Sequence, residues 1–156
     1  MEHVTYLGLG TNLGDRQAQL DQACRKIEKL IGHIVGQSAY VETEPWGFQS
    51  DNRFLNAVVA VSTRLSPRQL LSATQHIERL LGRRRKSVAG VYHDRPIDID
   101  ILLYDHVVVD EPDLKIPHPK MFLREFVMKP LQEIMPPDEW QQLQHLAADL
   151  NGISRD

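Results

Sequence analysis

Cysteine is nearly absent from this chain: Cys24 stands alone among 156 residues. One thiol excludes an intrachain disulfide framework, and its place on a predicted apolar helix face makes it a small buried hydrophobe. No apolar run is long enough to cross a bilayer. The opening residues, MEHVTYLGLGTNLG, have neither the basic nor the apolar region of a secretory signal. Charge of one sign is scarce too. A formal net charge of -3 creates no global field that would draw nucleic acid or a membrane. Repeats, linkers and low-complexity segments are missing. These absences together predict a soluble, cytoplasmic protein in a reducing compartment. A chain of 156 residues, 42% apolar and 25% charged, suits a single domain, 1–156, with its own core.

What is present begins with hydrophobic spacing. Val4–Leu9 is a short β-prone run ending at Gly10, Thr11 and Asn12. Leu20, Ala23, Cys24, Ile27, Leu30 and Ile31 recur at helical spacing, predicting a helix from Asp15 to Ile31 that Gly32 stops. Ile34–Thr43 reads as a strand closed by a turn at Glu44–Gly47, and Phe54–Thr63 as a third strand. Ser66, Pro67 and Gln69 are an N-cap, a first-turn proline and a capping-box partner. The helix they start runs to Leu81, with Leu70, Ala73, Thr74, Ile77, Leu80 and Leu81 inward, and stops at Gly82. A basic loop, Arg83–Asp94, precedes a strand at Ile97–Tyr104. A hairpin around His106–Ile116 and a helix from Asp138 to about Leu150 follow. The order β-α-β-β-α-β predicts a ferredoxin-like α+β sandwich, an α/β/α arrangement with an antiparallel sheet and a C-terminal helical extension. That fold by itself settles no function.

The strand Ile97–Tyr104, IDIDILLY, holds the most informative residues. Strand side chains alternate, so Asp98 and Asp100 share one face while Ile97, Ile99, Ile101 and Leu103 share the other, towards core. Two carboxylates side by side on a half-buried strand repel and are costly to desolvate unless a cation sits between them. Mg²⁺ suits them, because it takes one or two carboxylates together with phosphate oxygens. A solvated strand face with two harmless aspartates is the plain alternative.

Other groups are ambiguous in the same way. Gln75 and Glu78 lie on the flank of the second helix's apolar stripe, either as helix surface or within reach of a ligand at the rim of the core. Arg83, Arg84, Arg85 and Lys86 follow that helix, where cations complement the dipole, yet four in a row exceed what a cap needs. Guanidinium groups clamp phosphate oxygens bidentately, so this loop and Arg95 suit a polyphosphate. Phe54 and Asn56 share a strand face, as core residues or as a stacking platform beside a hydrogen-bonding amide. His118, between two prolines, is a loop residue placed rigidly enough for an electrostatic role.

Taken together, GLGTNLGD, TEPWG at 43–47, FLNAVVAV at 54–61, TQHIERLLGRRRK at 74–86, DRPIDIDILLYD at 94–105, IPHPKMFLREFV at 116–127 and PLQEI at 130–134 resemble the 6-hydroxymethyl-7,8-dihydropterin pyrophosphokinase family of folate synthesis. The resemblance covers most of the chain. It implies a diphosphotransferase that moves the terminal diphosphate of ATP to the pterin hydroxymethyl group and releases AMP, acting as a monomer on these small molecules, with no nucleic-acid or membrane partner. Asp98 and Asp100 match carboxylates that hold two Mg²⁺ ions, and Asp98 also lies against the pterin. Gln75, Glu78, Ile101, His118 and Arg124 match positions around ATP. Arg83, Arg85 and Arg95 match arginines that clamp its phosphates, Arg83 and Arg95 within the catalytic set. Phe54 and Phe126 match aromatics that sandwich the pterin, Asn56 the amide that reads its edge, and Thr43 and Trp46 backbone that assists.

Departures from the family pattern are local. His93-Asp94 replaces a Gly-Pro pair before Arg95, in a slightly longer loop whose covering aromatic is assigned to Tyr92. Glu44 stands where proline is common, and Pro119 follows His118 where an aromatic is frequent. None removes a group on which transfer depends. Two other readings remain at this level. A two-metal nucleotidyltransferase on the same fold would release pyrophosphate rather than AMP. An RNA-binding module would use the basic loop and dispense with the aspartates.

Overall fold

Local chemistry starts both early helices in the computed structural model, which describes residues 1–44, 53–82 and 97–155. Strand β1 (His3–Thr11) leads into helix α1 (Arg16–Leu30), where Asp15 accepts a hydrogen bond from the Ala18 N–H at 3.1 Å. Strands β2 (Gly32–Gln37), β3 (Val41–Thr43) and β4 (Phe54–Thr63) precede helix α2 (Pro67–Leu80), which opens on a reciprocal capping box between Ser66 and Gln69. Strand β5 (Asp98–Tyr104) and the hairpin of β6 (Val109–Glu111) and β7 (Leu114–Ile116) follow. A 3₁₀ turn at Met121–Leu123 and helices α3 (Glu125–Ile134) and α4 (Pro137–Arg155) complete the order.

The sheet order is β2-β4-β1-β5, with each neighbouring pair antiparallel and β3 added on β4. This is the predicted ferredoxin-like arrangement. Alternation divides the sheet's side chains between two cores. Leu7, Leu9, Val59, Val61, Ile99 and Ile101 pack with Leu20, Ile27, Leu70 and Ile77 beneath α1 and α2. Tyr6, Val58, Ala60, Leu102 and Leu103 face the other way, against Met121, Val127, Leu131, Met135 and Leu143. Leu131 and Ile77 are wholly buried, and burying one such side chain is worth about 1.5–3 kcal/mol. Among the described residues no helix is long and apolar enough to cross a membrane.

Several expectations change. β1 runs through Gly10 to Thr11 instead of ending at Leu9. The strand expected over Ile34–Thr43 is two strands, because at Ser38 the side chain intervenes: its Oγ accepts the Val58 N–H at 2.9 Å and donates to the Ala39 carbonyl at 2.9 Å. Gly32 does not stop α1; it begins β2, where a Cβ would lie 1.9 Å from the Ser62 carbonyl oxygen. Leu30 and Leu80, expected inward, are 38% and 51% exposed. Cys24 is only partly buried, packed on the edge of the α1 core. Leu103 is the instructive miss. The register pairs Tyr6 with Leu103 but Leu7 with Ile101, leaving Leu102 as an extra residue. This bulge puts Leu102 and Leu103 on the same side, under α3 and α4. Helix α3, with Pro130 in its interior and no side-chain N-cap, was not anticipated.

Candidate active site

The C-terminal helices cover only part of their sheet face. At the other end three strands run on beyond the buried cluster beneath α3 and α4, and strand parity determines what they display. β1 contributes Gly8 and Gly10, β4 Phe54 and Asn56, and β5 Asp98 and Asp100. The register sets Gly10 opposite both Asn56 and Asp98, and Gly8 opposite Asp100. Gly10 keeps the middle of this surface low. A Cβ there would sit 3.1 Å from Asn56 Oδ1 and 3.6 Å from the Phe54 ring. Phe54 is half-buried on this face and is not part of either apolar core.

Asn56 is 6% exposed, and its amide is held in one orientation. Nδ2 donates to Thr43 Oγ1 at 2.8 Å and to the Val41 carbonyl at 3.3 Å, which turns Oδ1 towards Gly10. Thr43 and Phe126 line a cleft of about 580 Å³ that also includes Arg124, a volume in the range of small-molecule sites. The Arg124 guanidinium lies 5.8 Å from the Phe126 ring centre. Fixed amide, aromatic and guanidinium thus gather at one end of the face.

Asp100 lines a second cleft and reaches Arg124 of the first. Its Oδ2 is 3.6 Å from Arg124 Nη1 and its Oδ1 is 3.9 Å from His118 Nε2. Asp100, His118 and Ile101 line the second cleft, of about 290 Å³, with Leu71, Thr74 and Lys115. His118 is anchored by its own N–H to the Leu102 carbonyl at 2.9 Å. Its Nδ1 accepts the Lys120 N–H at 3.2 Å, so the ring hydrogen is on Nε2, facing Asp100. Burial, reinforced by Arg124 and Lys120 against the opposing pull of Asp98, pushes the His118 imidazole down to about 4. At neutral pH it faces Asp100 as a neutral donor and makes no ion pair.

Glu78 is not solvated helix surface. Its carboxylate is 7% exposed and accepts the Ile99 N–H at 2.9 Å, between the two aspartates along β5. β5 is an edge strand, and Glu78 satisfies an outward-facing amide there. Gln75 is exposed and lines neither cleft. Trp46, Arg83, Arg85, Tyr92 and Arg95 lie outside the described residues. Gly10, Leu71 and Lys115 were not singled out from the sequence. For Gly10 a usable signal existed, since Gly8-x-Gly10 repeats the period of Asp98-x-Asp100 on the neighbouring strand.

The donor set bears on a metal. Among the described residues no group of three or more histidine, cysteine or acidic side chains could hold one. Two carboxylates on one strand face still fit Mg²⁺, whose remaining positions phosphate oxygens and water fill.

Comparison with known proteins identifies the family. The family model for 7,8-dihydro-6-hydroxymethylpterin-pyrophosphokinase (HPPK) matches residues 6–136. The 2-amino-4-hydroxy-6-hydroxymethyldihydropteridine pyrophosphokinase of Porphyromonas gingivalis is 51% identical over 134 residues, 85% of this chain and 91% of that protein. The Bacillus subtilis enzyme of the same name is 39% identical over 135 residues, 86% of this chain and 79% of its own. Among solved structures, wild-type Plasmodium falciparum HPPK-DHPS with pteroate superposes with a TM-score of 0.71 at 16% identity, over 87% of this chain and 41% of that one. That likeness concerns fold alone, and this chain spans about two fifths of the length of that larger protein. By the family match and the curated relatives, the chain belongs to the 7,8-dihydro-6-hydroxymethylpterin-pyrophosphokinase family and is a diphosphotransferase of folate biosynthesis.

Proposed function

We propose that the open end of the sheet face holds ATP and 6-hydroxymethyl-7,8-dihydropterin side by side. The hydroxymethyl oxygen bonds to the β-phosphorus of ATP while the bridge to the α-phosphate breaks, so that AMP leaves and the hydroxyl proton is released. The carrying observation is the position of Asp100, whose two oxygens face His118 in one cleft and Arg124 in the other.

In this reading the cleft with Thr43 and Phe126 takes the pterin. Phe54 and Phe126 stack on it, Asn56 reads its edge through the fixed amide, and Trp46 backbone and Asp98 complete the surround. The cleft with Ile101 and His118 takes the nucleotide, with Gln75 and Glu78 on the adjoining helix. Arg83, Arg85, Arg95 and Arg124 bind phosphate oxygens, and neutral His118 donates to one without adding charge. Asp98 and Asp100 would hold two Mg²⁺ ions, which would supply positive charge to offset that of the phosphate oxygens. The protein works in the cytoplasm as a monomer, as a single domain, without nucleic-acid or membrane partners.

The test is to incubate the full chain with ATP, Mg²⁺ and the hydroxymethyl pterin and identify both products. AMP with a diphosphorylated pterin is expected. ADP would mean single phosphoryl transfer, and free pyrophosphate would mean nucleotidyl transfer; either overturns the reading.

A further inference from the structure

At the covered end of the same sheet face lies another cavity, of about 200 Å³, which shares no lining residue with either cleft. Tyr6, Leu103, Met135 and Leu143 form its apolar walls, between β1, β5 and α4. Its mouth is ringed by Val4, Val107 and Val108, which stay 40%, 42% and 71% exposed. Three valines left in water around one opening are an unusual use of apolar surface, and such a rim suits a ligand with an apolar body.

The polar groups in this cavity are unevenly compensated. Asp105 is answered by His3 Nδ1 at 2.6 Å and by the Val4 N–H at 2.8 Å. Glu139, half-buried on α4, accepts the Tyr6 hydroxyl at 3.2 Å. A phenol returns no charge. Burial, with Glu139 beside it, raises the Tyr6 pKa well above its ordinary value, so Tyr6 remains a donor across the working range of pH. Among the described residues lining the cavity there is no lysine or arginine, and its one basic side chain is the exposed His106. A half-buried carboxylate in apolar walls, whose described partner is the Tyr6 hydroxyl, favours a ligand that brings the cation.

We propose that this cavity is a second small-molecule site, one that takes a primary ammonium carried on a compact aromatic or aliphatic body, with Glu139 as counter-ion. Its volume excludes a nucleotide. The ammonium replaces water at Glu139, while the apolar body covers Leu103, Met135 and Leu143.

The probe is tryptamine, with indole-3-propionate as a comparator of similar bulk and opposite charge, followed by amide ¹H–¹⁵N spectra of the full chain at pH 7. Saturable shifts at Val107, Val108 and Gln142 are expected for tryptamine, with indole-3-propionate at least about tenfold weaker. Glu139→Gln keeps an acceptor for the Tyr6 hydroxyl, and should weaken tryptamine about tenfold while leaving diphosphate transfer unchanged. The wild-type comparison of the two probes stands without that variant. The proposal is overturned if tryptamine causes no saturable shift at these amides up to millimolar concentration. Equal binding of the two probes, or unchanged affinity in Glu139→Gln, overturns it as well.

Discussion

The two ends of one sheet face do opposite work. At one end Tyr6, Val58, Ala60, Leu102 and Leu103 lie under α3 and α4 and contribute to stability. At the other the same strands carry Gly10, Asn56, Asp98 and Asp100, none of which belongs to the buried apolar cluster beneath those helices. The strand geometry is the same at both ends; the side chains it displays differ. Beneath α1 and α2 the opposite face is mostly apolar, with Thr5, Thr11 and Thr63 the buried polar side chains among its strands, so the carboxylates stand on a packed layer. A site built on packed strands is held more closely than one built on loops.

That contrast can be broken from either side. The largest effect should come from Asp98→Ala or Asp100→Ala, each lowering transfer by at least about 10³-fold while the urea midpoint stays near wild type. Turnover near wild type in either variant, measured as AMP release, would remove the metal assignment. At the covered end Leu131→Ala, at a wholly buried position, should cost about 2–5 kcal/mol in urea denaturation and leave kcat per folded molecule unchanged. Selective loss of catalysis without loss of stability would erase the distinction between the ends.

Smaller effects sharpen it. Glu78→Ala strips the partner from the Ile99 N–H and should cost about 1–3 kcal/mol, read by the same denaturation. Gly10→Ala puts a Cβ 3.1 Å from Asn56 Oδ1, whereas the nearest atoms to a Cβ in Gly8→Ala are Leu102 side-chain carbons at 3.4–3.6 Å. Calorimetry should show pterin affinity falling about tenfold for the first and under about twofold for the second, with ATP affinity unchanged in both. Equal penalties would mean that Gly10 does not set the Asn56 amide. The smallest test concerns Cys24, away from both ends. Burial, helped by Asp21, pushes its thiol up to about 11. Its alkylation by iodoacetamide at pH 8 should be about 100-fold slower than that of an ordinary thiol and rise about tenfold per pH unit up to that value.

Wherever a neighbour in sequence supplies the physics, the chain's own order was enough. Ser66, Pro67 and Gln69 start α2 because a cap and its partner lie within one turn, and Asp15 starts α1 for the same reason. Asp98 and Asp100 share a face because strand geometry repeats every two residues. The family motifs added roles for Asn56, Phe126 and Arg124 that spacing alone left open.

Tertiary structure decided whatever depends on distant partners. The bulge that puts Leu103 beside Leu102 arises in the pairing of β5 with β1, almost a hundred residues away in the chain, and no local pattern encodes it. Glu78 became a buried edge acceptor only once β5 was brought against α2. Helix α3 forms around Pro130 without a side-chain cap, because Val127 and Leu131 are buried against the sheet and packing outweighs local propensity. The meeting of His118 and Arg124 at Asp100 follows from the chain's return across the sheet edge. Sequence determined which side chains could act. Only the strand register and the packing that brings His118 and Arg124 to Asp100 decided where they would meet.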